Sequence, residues 1–182
     1  IYSVDPVANG CPGASQLISV TVNPIPEVSA NPSQQVICSG ETSLIDFSSS
    51  VAKTTYSWTV APNFILGASA STGDRISQTL VNSTLLADAA VYTVTPVAYG
   101  CSGNSILIPI TVNPAPEVFG SGNTTICSEE FTNITLSTNI LGTDFSWTAV
   151  QMGVTGAKSG SGNSIEQSLK AGTNIGTAIY TI

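Results

Sequence analysis

The sequence predicts an all-β fold built from tandem sandwich units, and three observations lead there. Short runs rich in Val, Ile, Thr, Tyr and Phe alternate with clusters of Gly, Pro, Asn and Ser. No stretch keeps a helical period over three turns; "STLLADAAV" at 83–91 allows one turn at most. The same pattern then recurs along the chain.

The repeat sets the organisation. "IYSVDPVANGCPG" at 1–13 returns as "VYTVTPVAYGCSG" at 91–103, and "VTVNPIPEV" at 20–28 as "ITVNPAPEV" at 110–118. "VICSGE" at 36–41 returns as "TICSEE" at 125–130, "TYSWT" at 55–59 as "DFSWT" at 144–148, and "ISQTL" at 76–80 as "IEQSL" at 165–169. "VYTV" at 91–94 returns as "IYTI" at 179–182. The prolines of "VNPIPEV" and "VNPAPEV" fix φ and remove backbone donors, so they mark linkers rather than sheet interior. On these boundaries 1–24 are the C-terminal strands of a preceding unit and 25–114 a complete unit. Residues 115–182 are a further unit lacking its last strands. Such a chain is expected to be a stretch of a longer array.

Within 25–114 strands are expected at about 26–31, 43–49, 55–60, 76–81, 90–97 and 105–112, with short edge strands between 62 and 72. Ile45 and Phe47 alternate against Leu44, Asp46 and Ser48, while Ile106, Ile108, Ile110 and Val112 face one way. Six to eight strands in this length predict an immunoglobulin-like sandwich. Trp58 and Trp147 take the core position of the third strand. "DAAVY" at 88–92 places Tyr92 as a tyrosine corner, with Tyr180 at the same repeat position.

Composition narrows function. Of 182 residues only 8% are charged, while 42% are hydrophobic, so the chain is folded, with a surface of Ser, Thr, Asn and Gln. The net charge is −7 and the four cations (Lys53, Arg75, Lys158, Lys170) are scattered. That disfavours nucleic acid and anionic membrane surfaces as partners. No apolar run is long enough to span a bilayer. With no His, acid–base catalysis lacks its commonest agent. The one adjacent carboxylate pair, Glu129-Glu130, is replaced in the earlier copy by Gly40-Glu41. No catalytic residue, cofactor site or metal site is expected, and Asp5, Glu27, Asp46, Asp74, Asp88 and Asp144 are too dispersed for calcium. Tyr99, at a hairpin tip where the first copy has Asn9, is the candidate for a glycan or protein contact. Asn82, Asn123 and Asn133 open N-x-Ser/Thr sequons but are read as polar loop residues. The loops at 61–74 and 150–164 differ most between copies and are where a binding unit would carry recognition.

Cys11, Cys38, Cys101 and Cys127 lack the close pairs of zinc ribbons. They recur in register with the repeat, which points to structural disulfides in an oxidising compartment, or else to buried thiols. Two pairings stay open. Cys38 can bridge to Cys101 within one unit. Alternatively each cysteine faces its counterpart across a junction, because ordinary immunoglobulin topology puts the two at opposite ends of the sandwich.

The segments "VNPIPEV", "VICSGETS", "TTYSWTV", "ISQTLVN", "AVYTVTPVAYGCSG" and "IPITVNP" together resemble the PKD-like and Ig-like tandem repeats of Bacteroidetes cell-surface adhesins, among them the gliding-motility adhesins exported by type IX secretion. The chain departs from ordinary PKD domains after "YSWTV", where "APNF" and "AVQM" replace an F-G-D-G turn. The resemblance implies an extracellular, cell-surface stalk or filament. Its partners would be neighbouring units of the same chain, with surface polysaccharide or other surface proteins at the adhesive end. A glycan- or protein-binding unit and an accessory region of a secreted enzyme are the alternatives.

Overall fold

The computed structural model describes residues 1–61 and 64–182. Strands account for about 49% of the chain, with no helix among the described residues, so none is long and apolar enough to cross a membrane.

The first copy is a pair of short ladders. β1 (Tyr2–Val4) pairs with β4 (Gln16–Ile18), and β2 (Val7–Ala8) with β3 (Cys11–Pro12), all antiparallel. Every side chain of these strands is exposed.

The second copy is an immunoglobulin-like sandwich. Its strands are β5 (Ser29–Asn31), β6 (Gln35–Cys38), β7 (Ile45–Ser48), β8 (Thr55–Val60), β9 (Ile65–Leu66), β10 (Ser71–Thr72), β11 (Arg75–Ile76), β12 (Val81–Asn82), β13 (Asp88–Ala98), β14 (Cys101–Ser102) and β15 (Ile106–Asn113). One sheet runs β10-β8-β13-β15-β6, with β14 continuing the hairpin from β13; the other runs β11-β7-β5. β13 is the spine, antiparallel to β8 over Tyr92–Val97 and to β15 over Asp88–Val94. The period-2 pattern explains the core. Tyr56 and Trp58 from β8, Tyr92 and Val94 from β13, and Ile108, Ile110 and Val112 from β15 all point inward. They meet Ile45 and Phe47 of β7 and Ile76 of β11, with the Phe47 ring 5.8 Å from that of Trp58, edge-on.

The expectations for the second copy are met in part. β6 was not anticipated: it is four residues long and its ladder partner is β15, parallel and some seventy residues away. The stretch at 83–91 forms no helical turn; it leads into β13. β9 and β10 lie where edge strands were expected, although Pro62 and Asn63 fall outside the described residues.

The third copy repeats part of this plan. β16 (Val118–Ser121), β17 (Ile134–Thr138) and β21 (Ser164–Ile165) form one sheet. β20 (Gly160–Ser161), β18 (Ser146–Met152) and β23 (Thr177–Thr181) form the other, while β19 (Val154–Thr155) pairs with β22 (Lys170–Ala171). Its buried cluster is Leu136, Phe145, Trp147 and Ile165, with Ile134 and Tyr180 half-buried against it.

One polar network ties each sandwich across its core. Trp58 Nε1 and Gln78 Nε2 both donate to the Ser69 carbonyl, at 3.2 and 2.9 Å, while Gln78 Oε1 accepts from Ser69 N and from the Tyr92 hydroxyl at 2.8 Å. The third copy repeats it with Trp147, Gln167, Lys158 and Tyr180. Tyr92 thus bonds to a side chain two strands away, not to upstream backbone as a tyrosine corner does. Ser43 Oγ and Thr132 Oγ1 accept from the backbone N–H of the two glutamines, holding them in place.

Removing the glutamine side chain leaves the hydroxyl of the buried Tyr92 without its acceptor. Gln78→Ala is expected to lower stability by about 2 kcal/mol in urea unfolding, and Tyr92→Phe should cost far less in that background than alone. The phenol also titrates with folding. Tyr92 is 0% exposed, and burial pushes its pKa up from 10.0 to about 12. The folded state favours the neutral phenol, so this contribution is intact below pH 10 and is lost as pH rises from 10 towards about 12. Urea midpoints across that window should fall, and Tyr92→Phe should flatten the fall.

Candidate functional site at the ends of the sandwich

Of the residues singled out in the sequence, Tyr99 and Cys101 lie at one end of the second copy and Cys38 at the other, where the strand register puts them. β13 and β14 are joined by Tyr99 and Gly100, at φ 51° and 81°. That is the mirror-image turn that suits the twist of a two-residue hairpin, and Asn9–Gly10 repeats it. The chain enters the sandwich beside this turn. Asn23 Nδ2 donates to the Tyr99 carbonyl at 3.0 Å, and Pro26, the second linker proline, is buried. Gly103 makes room for it: a Cβ there would lie 1.8 Å from the Pro26 carbonyl oxygen. Glu27 accepts a hydrogen bond from Ser50 Oγ at 2.9 Å. Tyr99 is 48% exposed, with the Lys53 ammonium 6.0 Å from its ring centroid.

The opposite end carries "ICSGE". Cys38 stands opposite Asn113, and Ser39 N donates to the Asn113 carbonyl at 2.8 Å. Glu41 folds back so that its Oε2 accepts from Cys38 N at 2.8 Å, and Glu130 does the same for Cys127. The carboxylate noted in the sequence is therefore a turn brace. Its neighbour Glu129 holds a positive φ of 74° where the earlier copy has Gly40, and pairs with Lys170 at 2.7 Å. Asp46 pairs with Arg75. Among the described residues no three His, Cys, Asp or Glu side chains come together as a metal site would require.

Trp58 and Trp147 are buried within their sandwiches, so neither offers a sugar platform. The loop at 61–74 contains β9 and β10, apart from Pro62 and Asn63, and 150–164 contains the end of β18 with β19 and β20. Asn82 is buried; its amide donates to the Leu86 and Val112 carbonyls, both at 2.8 Å, so this sequon is a structural clasp. The sequence reading of Asn82 as a polar loop residue is corrected by its burial, and that reading gave no role to Gln78 or Glu41. The signal for the last two was their recurrence as Gln167 and Glu130 at fixed repeat positions.

Of the two cysteine pairings, the bridge within one unit is corrected. All four are free in the structure, with Cys11, Cys38 and Cys127 exposed and Cys101 half-buried. Cys38 is level with the start of β13, and Cys101 pairs with Ala98 at its end. The eleven residues of β13 lie between them. At the rise of a strand that is about 35 Å, far beyond the ~7 Å that a disulfide tolerates between Cα atoms. Non-reducing peptide mapping of the folded chain is expected to yield no Cys38–Cys101 peptide, and the exposed thiols should react with a thiol reagent without denaturant.

No curated protein matches the chain. Residues 35–116, from the first residue of β6 to the second proline of the next linker, match the PKD-like domain family.

Proposed function

We propose that this chain is part of an extracellular, non-catalytic stalk, a run of PKD-like sandwiches that holds an adhesive end of a secreted surface protein away from the cell. The observation that carries the reading is the placement of the linkers. The chain enters the second copy beside the Tyr99 turn and leaves from Asn113 at the opposite end. Units threaded this way add length rather than girth. The buried Pro26, seated against Gly103, stiffens the joint into the second copy. The match to PKD-like domains supports an extracellular setting, since such domains are typically extracellular. The finer assignment, to adhesins of the gliding-motility kind, rests on the sequence resemblance of the linker, cysteine and tryptophan segments.

Small-angle scattering of chains carrying one, two and three copies tests the stalk. The maximum dimension is expected to rise by about 35–40 Å with each copy. A rise of less than half that amount would mean that the copies fold back on one another and form no stalk.

A further inference from the structure

All four cysteines of the chain stand at one of two repeat positions. Cys38 and its equivalent Cys127 lie in the "ICS" turn, at the end where the chain leaves a unit, while Cys11 and Cys101 close the hairpin at the end where it enters. A unit thus carries one cysteine at each end, and every joint between complete units receives two. Three of the four are exposed and Cys101 is half-buried, so none fills the core in the way that usually accounts for an unpaired cysteine.

Two observations bring the pair at a joint together. In the parallel ladder of β6 with β15, Cys38 is level with Asn113, one strand spacing of about 5 Å away. Its turn is fixed there: Ser39 N donates to the Asn113 carbonyl, Gly40 N to the Leu80 carbonyl, and Cys38 N to the Glu41 carboxylate. Asn113 ends β15, and its repeat equivalent in the linker before the second copy is Asn23. Asn23 reaches across that joint, donating through Nδ2 to the Tyr99 carbonyl at 3.0 Å. Tyr99 and Gly100 form the turn whose closing pair is Ala98 with Cys101. One asparagine per repeat therefore has the turn cysteine of its own unit on one side and the hairpin of the next unit on the other. Within a unit the same two cysteines are held apart by the eleven residues of β13. The joint is also set rather than loosely tethered, since Pro26 is buried and Gly103, two residues after Cys101, lies against its carbonyl.

We propose that successive units are stapled at each joint by a disulfide between the turn cysteine of one unit and the hairpin cysteine of the next. Cys38 pairs with the hairpin cysteine of the unit that follows, and Cys101 with the turn cysteine of the unit that precedes. No two cysteines of residues 1–182 share a joint, which agrees with all four being free. The bond forms by exchange with a disulfide oxidant such as oxidised glutathione: one Sγ–Sγ bond forms, the S–S bond of the oxidant breaks, and the two protons and two electrons leave as two small thiols. Each joint then has two covalent links, the proline linker and the disulfide beside it, so the array stiffens in an oxidising medium and loosens on reduction. This inference rests on the end-to-end threading proposed above, and not on any adhesive role.

The test sets one joint between two complete units, by inserting a second copy of residues 25–114 after Pro114 of the full chain, which keeps "VNPIPEV" as the linker. Cys11 and Cys127 are replaced by serine throughout. In the joint form, Cys101→Ser in the first of the two units and Cys38→Ser in the second leave only the two cysteines that face each other. In the far-end form the reciprocal substitutions leave the two at opposite ends. Serine at these surface positions is expected to leave the fold intact. Each form is equilibrated with reduced and oxidised glutathione at micromolar protein, and its species are read by intact mass and non-reducing peptide mapping. The joint form is expected to close a disulfide within one chain, with an effective concentration at least roughly a hundredfold above that of the far-end form. A joint form that yields only glutathione adducts or bonds between separate chains overturns the proposal, and so does a far-end form that closes equally well. The scattering series, run on reduced chains, reports the threading without this bond, so the stalk and the staple fail separately.

Discussion

A sandwich strand with two neighbours has its backbone satisfied on both edges and its inward side chains roofed on both flanks, and the structure turns on whether β13 or its counterpart has both. The repeat makes the comparison nearly controlled. With β15 in place, the second copy buries fourteen residues in one cluster; without it, the third copy buries four. Tyr92 is sealed, whereas Tyr180 is only half-buried, and burial raises the pKa of both. The strand that would be its β6 does not form at all. In the second copy that four-residue strand is fixed by its ladder to one neighbour and by the burial of Ile37, which together offset the backbone entropy of ordering it.

Other parts of the design do not depend on that strand. The tryptophan, glutamine and tyrosine network is complete in both copies, and so are the Ser43 or Thr132 clasp and the Glu41 or Glu130 brace. The network joins the tryptophan strand, the loop after it, the glutamine segment and the tyrosine of β13 or β23, and none of its members lies on β15. The two layers of organisation are therefore separable: side-chain hydrogen bonds set the orientation of the core aromatics, and the late hairpin closes the core over them.

The legible part of the fold was the part written in alternation. β8, β13 and β15 carry buried residues at every second position, and their expected spans lie close to those found. β6 was illegible because "QVIC" has no such alternation to display and its partner lies far along the chain. Gln78 was illegible for another reason. It lies in a segment that forms only an isolated bridge, at Thr79, and its importance resides in Ser69 and Tyr92, brought to its side chain by folding. The cysteines show how topology outweighs register in a repeat. Their recurrence suggested bonding, but the length of β13 separates Cys38 from Cys101 whatever their chemistry.

The two ends of the sandwich are not equivalent, and that asymmetry follows from small residues. At the entering end Gly103 lies so close to the Pro26 carbonyl that any side chain there would displace the linker, and the Tyr99–Gly100 turn presents its carbonyl to Asn23. At the leaving end β15 runs out at Asn113, directly before the next pair of prolines, with the braced "ICSGE" turn beside it. At the second copy the linker packs on the unit it enters through Pro26, and its prolines fix φ on the way in. Low charge serves the same end. With few ionised groups to repel or attract, the relative setting of successive units falls to backbone geometry and packing, which salt does not screen.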